Sequence, residues 1–368
     1  MEKNMREGAM KILRAGIIGC GDIAEGKYFP AIKAAGGIDL LAFCDISEAK
    51  AGIACAQHGA PGAKAFTDYQ DVLAMDLDLV FICTPNRSHS PITVDALGSG
   101  KHVMCEKPMA ISAKEAEKMF QAARKTGKLL NIGYQSRFRA DSQYLKKAAE
   151  AGVLGEVYFA KANAVRRRAV PTWGVFLNEH AQGGGPLIDI GTHALDLTLW
   201  IMDNYKPSYA VGTVYHKLNR DRSPANAWGD WDPDAFTVED SAFGFIVMEN
   251  GATIMLCASW ALNTLEVEEA TCTLSGTKAG ADFHDGLRIN GVRHGQQYVE
   301  MVGTQTGSVG FCQGKEVKPE VLEMQTFLKA VRGEGKLCVL PEQALVVTRI
   351  LEGIYESART GRPYYFNA

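Results

Sequence analysis

Residues 12–24 read Ile-Leu-Arg-Ala-Gly-Ile-Ile-Gly-Cys-Gly-Asp-Ile-Ala: an apolar run that breaks at Gly19-Cys20-Gly21 and continues through Asp22 and Ile23 into a helical pattern. A glycine turn between a buried strand and a helix lets backbone approach a ligand closely. The helix start then offers free N–H groups and the positive end of a dipole to an anion such as pyrophosphate. The pattern G-x-G-x-x-G/A, with Ala24 in its last place, is weak alone because glycine-rich loops are common. Its context is stronger: a strand before, a helix after, and a second apolar run, Leu40-Leu41-Ala42-Phe43-Cys44, that ends in Asp45 about 20 residues on. A carboxylate there can accept both ribose hydroxyls of an adenosine and repels a 2′-phosphate. Ile46 and Ser47 follow, with no arginine to hold that phosphate. NAD is therefore expected rather than NADP, the alternative being a plain exposed acid at a strand end.

The chain of 368 residues suits two domains, and 46% hydrophobic with 22% charged residues is ordinary for a globular protein. A net charge of −3 gives no general attraction to nucleic acid or anionic membrane. No apolar run approaches the roughly 18 residues that span a bilayer. Residues 1–10 are polar and lack a signal-peptide core, so they read as a frayed lead-in. The nine cysteines are odd in number, form no C-x-x-C and lie largely in apolar runs. Free buried thiols in a reducing cytoplasm fit that usage, and Cys20 reads as a small filler rather than a nucleophile.

Across 11–134, apolar runs over Leu13–Ile18, 40–44, 79–83, His102–Cys105 and 129–133 alternate with helical patterns at 49–57, 91–97 and 112–126. Nearly continuous apolar strands separated by helices predict a doubly wound parallel sheet covered on both faces, an α/β Rossmann domain. From 135 the grammar changes. A helix over 140–151 precedes longer strands at Val157–Val165, 208–218, Ser241–Met248, 252–260 and 270–275, with one long helix near 186–202 and an Asn250-Gly251 hairpin turn. Residues 135–368 are thus expected to form an α+β domain with a largely antiparallel open sheet. The amphipathic stretch Pro341–Thr360 suits packing against either domain.

Three further segments carry chemistry. Thr84-Pro85-Asn86, with His89 beyond, ends the third long apolar strand, where ligands of such sheets bind. Cys105-Glu106-Lys107-Pro108 ends the next. A lysine beside a nicotinamide, partly desolvated, can orient a substrate hydroxyl and help carry its proton; a strand-end Glu-Lys-Pro is also compatible with a solvated turn, and Pro108 with a cis bond. In Gly183-Gly184-Gly185-Pro186-Leu187-Ile188-Asp189, Pro186 suits the first helical position. Leu187, Ile190, Ala194, Leu197 and Ile201 then form a core stripe, while Asp189, His193, Asp196 and Trp200 form a second. Asp189 and His193, at i and i+4, are expected to touch, the carboxylate orienting the ring and raising its basicity. Asp189 in a first helical turn also has a purely structural reading. Glu179, His180, Asp189 and His193 match no compact zinc spacing, so no metal is expected.

Gly19-Cys20-Gly21, Thr84-Pro85-Asn86, Glu106-Lys107-Pro108 and the glycine run followed by Asp189-x-x-x-His193 resemble the Gfo/Idh/MocA oxidoreductases in type and order, from about Lys11 onward. The resemblance implies that Lys107, Asp189 and His193 form the catalytic group around a nicotinamide. It also implies a second domain whose open sheet makes homo-oligomer contacts, and a substrate that is a sugar, cyclitol or glycoside with a secondary hydroxyl. Trp173 and the loop Trp228-Gly229-Asp230-Trp231-Asp232-Pro233-Asp234 suit a carbohydrate, Trp173 and Trp231 as stacking faces; anchoring a long loop is the other reading. Arg166-Arg167-Arg168 reads as a strand end or subunit contact rather than a phosphate clamp. The aromatic loops favour a glycoside, with oxidation at the C3 hydroxyl of a glucoside as the nearest family activity. An NAD-retaining, glycoside-cleaving enzyme and a non-catalytic dinucleotide sensor stay open beside net oxidation.

Overall fold

The computed structural model describes residues 11–221, 225–303 and 317–366. The lead-in at 1–10 and Cys312 lie outside the described residues. In the first half, β1 (Leu13–Ile18), β2 (Ile38–Cys44), β3 (Lys64–Phe66), β4 (Leu79–Ile82), β5 (His102–Cys105) and β6 (Leu130–Ile132) make one sheet. Its order is β3-β2-β1-β4-β5-β6, and every pairing is parallel. That is the order of a dinucleotide-binding sheet, with its switch point between β1 and β4. The connecting helices are α1 (Phe29–Ala35), α2 (Glu48–His58), α3 (Tyr69–Ala74), α4 (Asn86–Gly98) and α5 (Ala113–Thr126). Side chains from both sides of β1 and β4 are buried, as sequences without period-two alternation require: Ile17 and Phe81 in one layer, Ile18 and Val80 in the other.

After α6 (Ala140–Glu150) comes β7 (Val157–Val165), then α7 (Glu179–Gln182) and α8 (Thr192–Met202). The strands β8 (Pro207–Tyr215), β9 (Ser241–Met248), β10 (Thr253–Ser259), β11 (Glu268–Gly276), β12 (Ala279–Asp282), β13 (Arg288–Arg293) and β14 (Gln296–Met301) follow. Last come α9 (Pro319–Val331), α10 (Pro341–Thr360) and β15 (Tyr364–Tyr365). The nine-stranded sheet runs β14-β13-β12-β11-β7-β10-β9-β8-β15, antiparallel except where β10 pairs with β7. Gly251 adopts positive φ in the β9–β10 turn, as the Asn-Gly signal requires. One sheet face packs on α8, whose Leu195, Leu197, Leu199 and Ile201 are buried. The other leaves Val211, Phe245 and Met255 side by side in register and roughly 40% exposed.

The two halves are not sequential blocks. On α9, Val321, Met324, Phe327 and Leu328 join the core of the first sheet beside Tyr28 and Phe81. The last helix, α10, meets both halves. Ser357 accepts from Gly212 N at 3.0 Å on β8, and Arg349 donates to Glu117 on α5 at 2.7 Å. Another joint is Arg137, in the 3₁₀ turn Gln135–Phe138 after β6. Its guanidinium forks onto Asp196 of α8 at 2.9 and 2.6 Å and donates to Cys338 O and Gln343 of the C-terminal segment. Arg137 and Asp196 are both fully buried, so Asp196, set by its spacing on the same stripe as His193, serves the joint.

Candidate active site

At the switch point, Gly19 holds φ +94°, and a Cβ there would stand 2.6 Å from the Cys83 carbonyl at the end of β4. No atom lies within 4 Å of a Cβ built on Gly21, so backbone is open to close approach there. Beyond Asp22 and Ile23, the first five residues, Ala24–Tyr28, form a π turn before α1. The carboxylate of Asp45 is set by two backbone donors: Cys20 N onto Oδ2 and Ser47 N onto Oδ1, both 2.9 Å. Each oxygen keeps acceptor capacity for a ribose hydroxyl. Burial pushes the Cys20 thiol up to about 12, which keeps it protonated and unreactive. This cradle fits a dinucleotide. Asp45→Asn is expected to weaken NAD binding about tenfold, the worth of one charge-assisted hydrogen bond, and to narrow the gap to NADP; titration calorimetry with each dinucleotide checks it.

Around the strand ends, several residues expected to touch the cofactor are committed to the protein instead. His89 is wholly buried, with Nδ1 2.8 Å from Pro108 O and Nε2 2.9 Å from Thr84 O, and burial lowers its pKa. It braces the Thr84-Pro85 turn against Pro108 rather than facing a ligand. Asn86 donates to Gln182 O at 3.0 Å, tying α4 to the glycine run. Glu106 is buried, with Oε1 2.6 Å from Lys27 Nζ and Oε2 taking the Lys107 N–H at 3.1 Å. Its charge, held below the usual carboxylate range by Lys27 against the opposing effect of burial, fixes the turn that carries Lys107. The Lys107–Pro108 peptide is cis.

Lys107 reaches across to the second half. Its Nζ donates to Asp189 Oδ1 at 2.8 Å and to Asp189 O at 3.0 Å. Asp189 Oδ2 accepts from Trp260 Nε1 at 3.1 Å. Glu239, buried in turn, accepts from Gly185 N, Leu187 N and the Tyr355 hydroxyl, and so caps this helix start. A Cβ on Gly185 would lie 2.4 Å from Glu239 O, which accounts for that glycine.

The expected Asp189–His193 contact is absent from the hydrogen bonds of the described residues. Leu187–Gly191 form a π turn rather than an α turn, and the wider turn alters the register that i, i+4 spacing assumes. Both oxygens of Asp189 are engaged by Lys107 and Trp260, and His193 Nδ1 is buried without a partner. Nor is the ring made more basic. Burial first, then the charges of Lys107, Lys27 and Arg166, push its pKa well below the ordinary value, leaving a neutral, half-buried imidazole. Tyr134 stacks edge-on to it at 6.3 Å and hydrogen-bonds Thr192 at 2.9 Å.

Residues 13–134 match the oxidoreductase family with an NAD-binding Rossmann fold, and residues 146–366 match its C-terminal α/β domain. The chain belongs to the Gfo/Idh/MocA oxidoreductase family. It is 34% identical to a D-glucoside 3-dehydrogenase of Escherichia coli K12, over 95% of this chain and 96% of that protein. An aldose-aldose oxidoreductase from Caulobacter crescentus, solved with glycerol, is 25% identical, covers 97% of this chain and 100% of its own, and superposes with a TM-score of 0.77. A levoglucosan dehydrogenase solved with NADH and L-sorbose shares the fold, with a TM-score of 0.81 at 20% identity over 96% of this chain and 98% of its own.

In this Gfo/Idh/MocA chain the aromatic segments divide. Trp173 is 42% exposed and meets Trp228, 43% exposed, edge-to-face at 5.0 Å. Phe176 links Trp173 to Trp260 at 5.9 and 6.3 Å, so rings lead outward from Asp189. Trp231, expected as a sugar face, is instead buried: its N–H goes to Asn219 O at 2.9 Å and its ring meets Phe236 edge-on. It anchors its loop. Arg166 pairs with Glu269 and lies over Trp228 at 5.1 Å. Trp260, Glu239 and Lys27 carry no local sequence signal, because each meets the site only through a partner distant in the chain.

Proposed function

We propose that the protein is an NAD-dependent dehydrogenase that oxidises a secondary hydroxyl of a sugar or glycoside, with the C3 hydroxyl of a glucoside as the leading substrate position. The observation that carries this reading is the Lys107 ammonium fixed by Asp189 beside a neutral His193. That pair can bind one hydroxyl from two sides. The extended likeness to a D-glucoside 3-dehydrogenase supports the substrate class.

The Gly19–Ile23 turn, Asp45 and the Thr84-Pro85 turn would hold NAD, which would supply the hydride acceptor when bound. The protein does the rest. Lys107 donates to the substrate oxygen and stabilises charge that builds on it. His193, uncharged, takes the hydroxyl proton. Asp189, itself held by Trp260, keeps Lys107 in place instead of touching the substrate proton. Trp173 and Trp228 offer an exposed indole pair on the outer side, suited to the C–H face of a sugar or to an aglycone.

Incubating the purified protein with NAD and a panel of glycosides tests the proposal. NADH formed in proportion to a ketoglycoside is expected. Aglycone released without NADH would replace net oxidation with cleavage. Binding of NAD without either product would favour a sensor, and reaction of amino or keto acids alone would exclude a sugar substrate.

Assembly and compartment belong to the same proposal. The Val211, Phe245 and Met255 row on the open sheet suits a homo-oligomer contact, because an apolar patch on a sheet face is commonly covered. Light scattering is expected to return a multiple of the chain mass. Among the described residues, all eight cysteines are free and no helix is long and apolar enough to cross a membrane; free thiols agree with a reducing cytoplasm.

A further inference from the structure

A buried charge cluster lies behind Glu106, outside the group that meets the substrate. Lys27 Nζ, from the π turn after the glycines, sits 2.6 Å from Glu106 Oε1 and 3.2 Å from Glu323 Oε2 on α9. The Glu323 side chain is fully enclosed, and neither oxygen makes a well-formed hydrogen bond; the nearby Tyr28 hydroxyl is likewise buried without a partner. Two carboxylates thus share one ammonium, and the second arrives from a helix about 300 residues away in the chain.

We propose that Glu323 is a positioning residue for the cofactor pocket: by sharing Lys27 with Glu106 it sets the net charge behind the Lys107 turn, and through it the preference of the pocket for oxidised over reduced dinucleotide. Glu106, which holds Lys27 through Oε1, takes the Lys107 N–H on Oε2 at 3.1 Å, so the cluster is one hydrogen bond from the turn that carries Lys107. When Glu323 is ionised the three side chains carry one net negative charge, which favours the cationic nicotinamide of NAD⁺. When it is protonated they are neutral and the preference lapses.

Its own surroundings make this change happen near neutrality. Burial pushes Glu323 up and the Glu106 charge adds to that, while Lys27 opposes both, leaving it at about 7. The groups facing it do not titrate there. Lys27 is held charged by the two glutamates, Glu106 is held ionised, and Tyr28 and Cys83 are pushed well above their ordinary values. Asp196 lies within range but is forked to Arg137.

The test is the ratio of NAD⁺ to NADH dissociation constants, measured by calorimetry from about pH 6 to about pH 8. It needs no substrate, so it stands or fails apart from the proposed sugar oxidation. In the wild type the ratio is expected to shift about tenfold toward NAD⁺ as pH rises, the size of one charge acting through partly screened protein. Glu323→Gln, matching the protonated form in shape, is expected to be flat at the low-pH value. Glu323→Asp is expected to restore a step. Lys27→Met, which removes the opposing cation, is expected to move it to higher pH. A step that persists unchanged in folded Glu323→Gln, or a flat wild type, would overturn the proposal.

Discussion

Lys107→Met is expected to lower kcat for hydroxyl oxidation by about three orders of magnitude, while the Kd for NAD moves by less than about threefold. Methionine keeps the length and much of the packing of lysine but can neither donate to the substrate oxygen nor offset charge that builds on it. A positioned acid–base partner contributes roughly 10²–10⁴ in rate. Asp189 keeps Trp260 as a donor in the variant, so the helix start need not rearrange. His193→Ala is expected to resemble it in kcat if, as proposed, the neutral ring accepts the hydroxyl proton. Loss of kcat with ground-state binding retained marks an interaction made in the transition state. Rapid-mixing kinetics together with calorimetry separate the two, and equal losses of both would reassign Lys107 to cofactor binding.

Asp196→Ala is expected to act on stability rather than chemistry. It strands the Arg137 guanidinium, which has no route to solvent. Removing one partner of such a pair costs about 3–5 kcal/mol, a fall in Tm of roughly 5 °C for a chain of this length. Arg137 joins the turn after β6, α8 and the segment before α10, so loosening there is expected to be cooperative across both halves. Replacing both residues with apolar side chains of similar volume is expected to recover much of the loss. Thermal melts of the single and double variants check this; an unchanged Tm in the single variant would mean that water reaches the guanidinium.

Asp189 and Asp196 show how far spacing alone can be read. The stripe of Leu187, Ile190, Ala194, Leu197 and Ile201 is buried throughout, but Ile188, Leu195 and Leu199 off the stripe are buried as well, so the segment is enclosed on more than that face. The polar stripe was legible as a group, but its wiring was not. A π turn and an α turn share the same residues in the same order, and Leu187–Gly191 take the π turn. Asp189 consequently serves Lys107, and Asp196 serves Arg137.

The first half was readable because its signals are local: apolar strands, a glycine turn, and acids at fixed distances along the chain. There, β3 was missed; three residues with an exposed edge carry no periodic pattern. In the second half β12, β13 and β14 were missed: β12 is four residues long, β13 is broken by Gly291 and flanked by arginines, β14 is largely polar and exposed, and they are held by pairing with one another. The parallel junction of β10 with β7, the return of α9 to the first sheet and the burial of Trp231 are long-range outcomes. Each depends on which surfaces remain uncovered after the local elements have formed.

A single labelling experiment bears most directly on the site. A methyl glucoside deuterated at C3 is incubated with NAD and the wild-type protein, and the dinucleotide and sugar are followed by mass spectrometry. Transfer of the deuterium to the reduced nicotinamide, with an equal amount of 3-keto glucoside and with the transfer all but lost in Lys107→Met, is the expected result. Reduced dinucleotide without the label, or transfer undiminished in Lys107→Met, would contradict hydride removal at that carbon by the Lys107, Asp189 and His193 site.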